Sequence, residues 1–276
     1  MQRKIKMKRV GRKATDGAGV KLTRVLDNTT TGLFDPFLML DSFDSTDPND
    51  YLAGFPTHPH RGIETITYLI DGLIEHEDSL GNKDAILPGE SQWMTAGSGI
   101  LHQEMPKAAN RMLGWQLWLN MNKDEKMSDP AYLSITKDMI PIVEKSNVKV
   151  HVISGAYDNI FGVKPDHEMA TIYDIELMPN TFINIHTEAH DTVFVFVILG
   201  TCMIDDDQVL EKTAVLFEQG DMITISTKAE MARVMYFQAK PLNQPISWGG
   251  PIVMNTDEEL RLAFDELNKG TFIKHK

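Results

Sequence analysis

Short runs of β-branched and aromatic residues, closed by glycine, proline or acidic turn residues, recur along the chain. In the second half these runs occupy residues 148–153, 171–177, 182–185, 193–199, 222–226 and 231–237. Runs of this length and composition are typical of strands. Many short strands with regular turns favour a sandwich or barrel. The sequence therefore predicts an all-β protein.

The chain has 276 residues, which is enough for one large domain or two smaller ones. Residues 120–147 are polar and include two prolines, which indicates a linker. Gly72 and Gly200 each follow an apolar strand pattern, and this similarity is a weak sign of an internal duplication. We expect an N-terminal domain over residues 1–135 and a C-terminal domain over residues 136–276.

One helix is predicted near residues 257–269. Thr256 and Glu259 form the pattern of a capping box, and Gly270 stands where a helix would stop. A single apolar stripe follows the helical spacing and consists of Leu260, Ala263, Phe264 and Leu267. We interpret this stripe as core packing.

Composition and charge argue against two classes of function. The formal net charge of −12 disfavours direct nucleic-acid binding, which needs a basic face. The longest apolar run, residues 193–199, is far below membrane-spanning length, and no apolar signal segment follows the basic start. The single cysteine, Cys202, cannot form an internal disulfide and fits a reducing compartment. We expect a soluble protein of the cytoplasm, with the nucleus a second location in a eukaryote.

Five side chains in the first half form a pattern of metal donors. His58 and His60 are two residues apart, so they share a face if the segment is extended, and Glu64 has the same parity. His102 and Glu104 repeat the two-residue spacing further along. Donors of these kinds on two strands predict a metal site inside a β-structure.

The donor types narrow the choice of metal. Imidazole with carboxylate suits Fe, Mn, Ni, Cu or Zn, and the absence of cysteine from this set of donors argues against a structural zinc site. A lone histidine is more often a satisfied polar residue than a ligand, but the paired spacing favours ligation. The role of Glu64 stays open: it is either a ligand or a carboxylate that orients a histidine. Arg61 is interpreted as a structural residue in a turn or ion pair.

The other histidines carry weaker signals. His76 lies in an acidic run with Glu75 and Asp78, and we expect it to be solvated. His186 and His190 resemble half of a metal motif, but the sequence places no histidine after Cys202 that would complete it before residue 238. A second metal site is therefore not expected.

Longer phrases give the chain a family resemblance. It resembles the pirin family of the cupin superfamily over nearly its whole length. The matching phrases are Asp35-Pro-Phe-Leu38, Phe55-Pro-Thr-His-Pro-His-Arg-Gly62, Glu64-Thr65, Gln92-Trp-Met-Thr-Ala-Gly97, Gly99-Ile-Leu-His102, Glu104-Met-Pro106, Gln116-Leu-Trp118, Pro241-Leu-Asn243 and Gly250-Pro-Ile-Val-Met-Asn-Thr256.

The resemblance implies a bicupin, with two jelly-roll β-barrel domains, a metal in the N-terminal one and none in the C-terminal one. The family's three histidines and glutamate carry over onto His58, His60, His102 and Glu104. Glu64 then becomes a carboxylate that supports the ligands without binding the ion itself. The metal implied is one divalent ion, iron(II) first, with Zn, Ni, Mn or Cu as other occupants.

Two functions of different classes follow from the resemblance. The first is a quercetin 2,3-dioxygenase, in which a flavonol such as quercetin reacts with O2, and Glu104 is the catalytic base for its 3-hydroxyl. The second is a metal- and redox-dependent regulatory protein that binds a transcription factor or metabolic enzyme. In both cases we expect a monomer without direct nucleic-acid or membrane contacts.

Overall fold

The computed structural model describes residues 1–275, and these are folded mainly as strands. The strands are β1 (Ile5–Val10), β2 (Arg12–Asp16), β3 (Val20–Leu26), β4 (Phe37–Ser45), β5 (Phe55–His60), β6 (Ile63–Asp71), β7 (Ile74–Asp78), β8 (Lys83–Ile86), β9 (Ser91–Thr95), β10 (Ile100–Pro106), β11 (Met112–Asn120), β12 (Ala131–Ile135), β13 (Ile142–Lys145), β14 (Val148–Ser154), β15 (Ala156–Tyr157), β16 (Ile160–Phe161), β17 (Thr171–Leu177), β18 (Phe182–His186), β19 (Thr192–Ile204), β20 (Asp207–Leu210), β21 (Thr213–Phe217), β22 (Met222–Ser226), β23 (Ala232–Ala239), β24 (Ser247–Gly249) and β25 (Ile252–Met254). The helices are α1 (Asp257–Asn268) and three 3-10 turns, Asn28–Thr30, Pro48–Asp50 and Lys137–Met139. The predicted all-β class is confirmed.

The chain divides into two compact units, and each unit takes one end of the chain. The first unit consists of Lys13–Thr31, Phe37–Thr136 and the described chain from Leu242 onward. The second unit consists of Met1–Arg12, Gly32–Pro36 and Lys137–Pro241. The division expected from sequence assigns each domain one continuous stretch, residues 1–135 and 136–276, and it stays a prediction. Local patterns do not reveal the grouping of the chain ends, because the partners of terminal strands are distant in sequence. The polar stretch 120–147 also holds β12 and β13.

The first unit contains two antiparallel sheets that face each other. Seven strands follow the order β12-β9-β6-β11-β4-β3-β2, and four follow the order β5-β10-β7-β8. Glu104 on β10 reaches side chains of β6, β9 and β11, so the interior of this unit lies between the two sheets. Residues that alternate inward on β5, β7 and β10 therefore meet one wall of the other sheet.

The extended segment expected from His58 through Glu64 is interrupted by a turn. Strand β5 ends at His60, and β6 begins at Ile63 in the other sheet. Gly62 between them has φ +76°, and a Cβ at that position would lie 2.1 Å from the carbonyl oxygen of Val253. The assumption of one continuous strand was wrong, because this glycine turns the backbone sharply. Glu64 consequently lies on the opposite wall from the two histidines.

The second unit is built on one long bent strand. Strand β19 was predicted to end near Gly200, but it runs on to Ile204. Gly200 has φ +74°, and the strand pairs with β21 and β23 before it and with β20 and β22 after it. The core of this unit is mainly aliphatic and includes Tyr173 and Tyr236, whose rings stack with centroids 5.0 Å apart.

The single α-helix matches its prediction. Helix α1 has Thr256 as N-cap, and the reciprocal bonds of a capping box join Thr256 and Glu259. Its inner face packs in the first unit against β25, with Ala263 fully buried beside Ile252. No helix in residues 1–275 combines the length and apolarity needed to cross a bilayer.

Candidate metal centre

Three predicted ligands converge in the first unit. His58 and His60 alternate inward on β5, and His102 lies opposite His58 on the neighbouring β10. The ring centroids of the three imidazoles are 4.4 to 5.0 Å apart. One ring nitrogen from each lies within 4.8 Å of the others. The strand pairing therefore turns two sequence-distant motifs into one group of three donors.

The hydrogen bonds behind two of the imidazoles set their tautomers. Nδ1 of His58 lies 2.9 Å from the carbonyl oxygen of Pro56, and Nδ1 of His60 lies 3.0 Å from that of Pro251. A carbonyl only accepts, so each Nδ1 carries the proton. The two Nε2 atoms, 3.1 Å apart, then face each other with lone pairs. A cation between them would satisfy both, and carbonyl-backed histidines are typical of metal ligands.

The surroundings of His102 give a second test of whether these residues could hold a metal ion. Its side chain is buried, and neither ring nitrogen has a hydrogen-bond partner within residues 1–275. Buried polar atoms are normally satisfied, so an imidazole in this state lacks a partner that a metal ion would provide. Burial and the neighbouring His58 lower the pKa of His60 to about 3, and burial lowers the pKa of His102. The rings of His60 and His102 are therefore neutral at pH 7, as ligation requires. The residues fit a metal ion.

Glu104, the fourth predicted ligand, is tied to the opposite sheet. Within residues 1–275, the group of donors that lie within 4.8 Å of one another holds the three histidines and not Glu104. Its Oε1 accepts hydrogen bonds from Gln92 at 2.6 Å and Thr67 at 3.0 Å. Its Oε2 accepts one from Gln116 at 2.6 Å. Ligation by Glu104 stays a prediction.

Glu64 lies on the wall formed by the seven-stranded sheet. It is fully buried, and its Oε1 accepts a hydrogen bond of 2.7 Å from the hydroxyl of Thr95 on the adjacent strand β9. The turn at Gly62 separates it from the strand that carries His58 and His60. Its role as a carboxylate that supports the ligands without binding the ion stays a prediction.

His76 was expected to be solvated, and this was wrong. Its side chain is buried, its Nε2 lies 3.0 Å from a carboxylate oxygen of Asp78, and its ring stacks on Tyr132 at 4.3 Å. It pairs across the strands with Glu104 and lies 5.5 Å from the ring of His102. The alternation along β7 places His76 and Asp78 inward while their acidic neighbours point outward. That alternation was the signal in the sequence.

Gln92 and Gln116 are the other residues that sequence reasoning missed as members of the site. Both are buried amides in otherwise apolar strands, β9 and β11. A buried amide needs partners for its donors and acceptor, so a glutamine in such a strand indicates a polar contact inside the barrel.

Contacts of Arg61, in the turn that follows β5, connect this turn to the C-terminal segment. The buried guanidinium of Arg61 donates to the carbonyls of Ser98 at 2.7 Å and Phe272 at 2.8 Å. It pairs with Glu266 at 2.8 Å and lies 4.2 Å from the centre of the Phe272 ring. These contacts agree with the structural role expected for Arg61. His186 and His190, in the second unit, are exposed.

Two β-barrel-type units, one of them with three converging imidazoles, place the chain among two-domain cupin proteins with a site able to hold a metal ion. The family model for pirin matches residues 19–119, and the model for the pirin C-terminal cupin domain matches residues 172–273. The chain belongs to the pirin family.

Relatives and solved structures are similar over nearly the full length. A "Pirin-like protein" of Caulobacter vibrioides is 40% identical over 95% of this chain and 96% of its own. A Pseudomonas aeruginosa protein named "Putative quercetin 2,3-dioxygenase PA3240" is 41% identical over 94% of each chain. The crystal structure of quercetin 2,3-dioxygenase from Acinetobacter baumannii superposes with a TM-score of 0.91 at 28% identity, covering 99% of both chains. The bicupin fold is therefore shared.

Proposed function

We propose that this protein is a metal-dependent dioxygenase that opens the ring of flavonols such as quercetin with O2. The observation that carries the proposal is the set of three converging, buried or half-buried imidazoles, two of which direct facing lone pairs at each other. His58, His60, His102 and Glu104 would hold the ion, iron(II) in our proposal. When bound, such an ion supplies the Lewis acidity and redox chemistry that reaction with O2 requires. The names of the similar proteins support the substrate class.

The chain's own residues have separate tasks in this reaction. Pro56 and Pro251 hold the protons on Nδ1 of His58 and His60, which keeps both Nε2 atoms available for the ion. Glu104 takes the proton of the flavonol 3-hydroxyl, because its carboxylate is buried beside the histidines and already oriented by three donors. Burial of His60 and His102 excludes bulk water from the centre.

The test is turnover by protein of known metal content. Metal-free protein is loaded anaerobically with Fe(II), and in separate samples with Ni(II), Mn(II), Zn(II) or Cu(II), before quercetin and O2 are added. We expect loss of the flavonol absorption band together with release of carbon monoxide. His102→Ala should abolish both metal retention and turnover, whereas the matched variant His190→Ala, at an exposed histidine, should leave both unchanged.

Stoichiometric metal binding without turnover in any sample would overturn the proposal. In that case the regulatory alternative would be pursued through metal-dependent capture of a protein partner.

A further inference from the structure

Lys126 places a buried ammonium where three segments of the first unit meet. Its side chain is 1% exposed. Nζ donates to the carbonyl of Gly62 at 2.6 Å, to the side-chain oxygen of Asn120 at 2.6 Å and to the carbonyl of Val253 at 3.0 Å. These acceptors lie in the turn after β5, at the end of β11 and in β25. A lysine ammonium carries three protons, so each proton has one acceptor here.

The loop that carries Lys126 is itself held in place. The backbone N–H of Lys126 donates to the carbonyl of Asn122 at 3.1 Å, and the carbonyl of Ser128 accepts from the N–H of Ser98 at 2.8 Å. Lysine is rarely buried, because removing an ammonium from water has a cost that only good hydrogen bonds offset. The ammonium is therefore a fixed point to which the other segments are tied.

Two of these segments also hold His60. The carbonyl of Pro251 accepts a hydrogen bond from Nδ1 of His60 at 3.0 Å. Pro251 precedes Val253 by two residues, and His60 precedes Gly62 by two residues. Between these positions, the N–H of Val253 donates to the carbonyl of Arg61 at 3.1 Å. The ammonium of Lys126 thus ties together both sides of the contact that orients His60.

We infer from this geometry that Lys126 is a positioning residue of the metal centre. It holds segment 251–253 against the turn after β5, so that Pro251 keeps the proton on Nδ1 of His60 and leaves Nε2 for the ion. Without the ammonium, two buried carbonyls would lose the donor that they share, and this favours their separation. The inference rests on ligation by His60, which belongs to the proposed function, but it does not depend on the substrate or the reaction.

His58 provides an internal comparison, because its tautomer is set within its own strand. Its Nδ1 lies 2.9 Å from the carbonyl of Pro56, two residues earlier on β5. Both residues precede the turn that Lys126 contacts. Loss of the ammonium should therefore affect His60 and spare His58.

The experiment combines NMR of the imidazole nitrogens in the metal-free protein with Co(II) affinity, which is measured by competition with a chelator. In the wild-type protein we expect a protonated Nδ1 in both His58 and His60. Lys126→Met removes the ammonium and nearly preserves the length of the side chain. It should give mixed tautomers of His60, leave His58 unchanged and weaken Co(II) binding by about tenfold.

Lys123→Met is the matched control, because Lys123 lies in the same loop and is exposed. It should leave both tautomers and the Co(II) affinity unchanged. If Lys126→Met is insoluble, Lys126→Gln is measured in the same way. Its shorter amide cannot replace all three bonds of the ammonium, so the expected changes have the same direction.

The inference is overturned if wild-type His60 carries its proton on Nε2, whatever the variants do. It is also overturned if His60 keeps its tautomer in a Lys126 variant while the Co(II) affinity stays within about threefold of wild type. Equal changes at His58 and His60 would overturn it as well, because Lys126 would then support the whole barrel rather than this contact. None of these measurements uses a flavonol, so failure of the inference and failure of the proposed function are distinguishable.

Discussion

The pair between Arg61 and Glu266 offers the sharpest test of how the C-terminal segment supports the centre. Arg61 is 2% exposed and Glu266 is 17% exposed, so Glu266→Gln leaves a buried guanidinium without this carboxylate. Removing one partner of a fully buried pair costs about 3–5 kcal/mol. Here Glu266 is partly solvated, and Arg61 keeps its bonds to two carbonyls. We therefore expect a loss of about 2 kcal/mol in the free energy of unfolding of the first unit.

The assay is urea and thermal unfolding, followed by a signal from the first unit. A loss of this size corresponds to a fall in Tm of roughly 4–8 °C for a unit of this size. The matched control is Glu258→Gln on the same helix, because Glu258 is 79% exposed and pairs with Arg261 at the surface. That pair should contribute less than about 0.5 kcal/mol. Equal effects of the two substitutions would refute the reasoning, since burial would then have no influence on the pair.

Three further predictions concern stability. Gly62→Ala should destabilise the first unit by about 3 kcal/mol or more and reduce soluble yield, because the Cβ would meet the carbonyl of Val253 and φ is +76°. A hydrogen bond from His151 lowers the pKa of Glu176. Burial acts in the opposite direction, and the charge of Arg233 adds to the lowering. The Glu176 carboxylate therefore stabilises the folded state above about pH 4.3, which is the pKa of glutamate in the unfolded chain. This stabilisation is lost as the pH falls below that value. Glu176→Gln should flatten the dependence of unfolding free energy on pH between about 5 and 3. Metal at 100 times its Kd should stabilise the first unit by about 2.7 kcal/mol in calorimetry, and His102→Ala should abolish this gain.

Several elements of the fold and site follow directly from local sequence chemistry. The short β-branched runs predict strands because their periodicity is local, and the capping box at Thr256 predicts the start of α1 for the same reason. The spacing of two residues places His58 and His60 on one face, and His102 on a second strand completes the group.

Other features depend on partners that are far away in sequence. The two-residue spacing places Glu64 on the same face as His58 and His60 only if the strand is unbroken. The turn at Gly62 breaks the strand between them. The acidic neighbours of His76 suggested exposure, although alternation on β7 turns this ring inward. The role of Gln92 is visible only once β9 faces Glu104 across the barrel. Tertiary contacts decide the cases of Glu64 and Gln92, whereas the alternation that places His76 inward is present in the sequence of β7 itself.

The grouping of the chain ends also has a consequence for the order in which the protein is made. The carbonyl of Pro251 fixes the tautomer of His60, yet the ribosome adds Pro251 long after His102, the last of the three histidines. At about 5–20 residues per second, the intervening chain takes roughly 7–30 s to synthesise. During that interval the nascent first unit has all three imidazoles but lacks the segment that orients one of them. The contact that orients His60 therefore forms late in synthesis, after the three imidazoles are already in the chain.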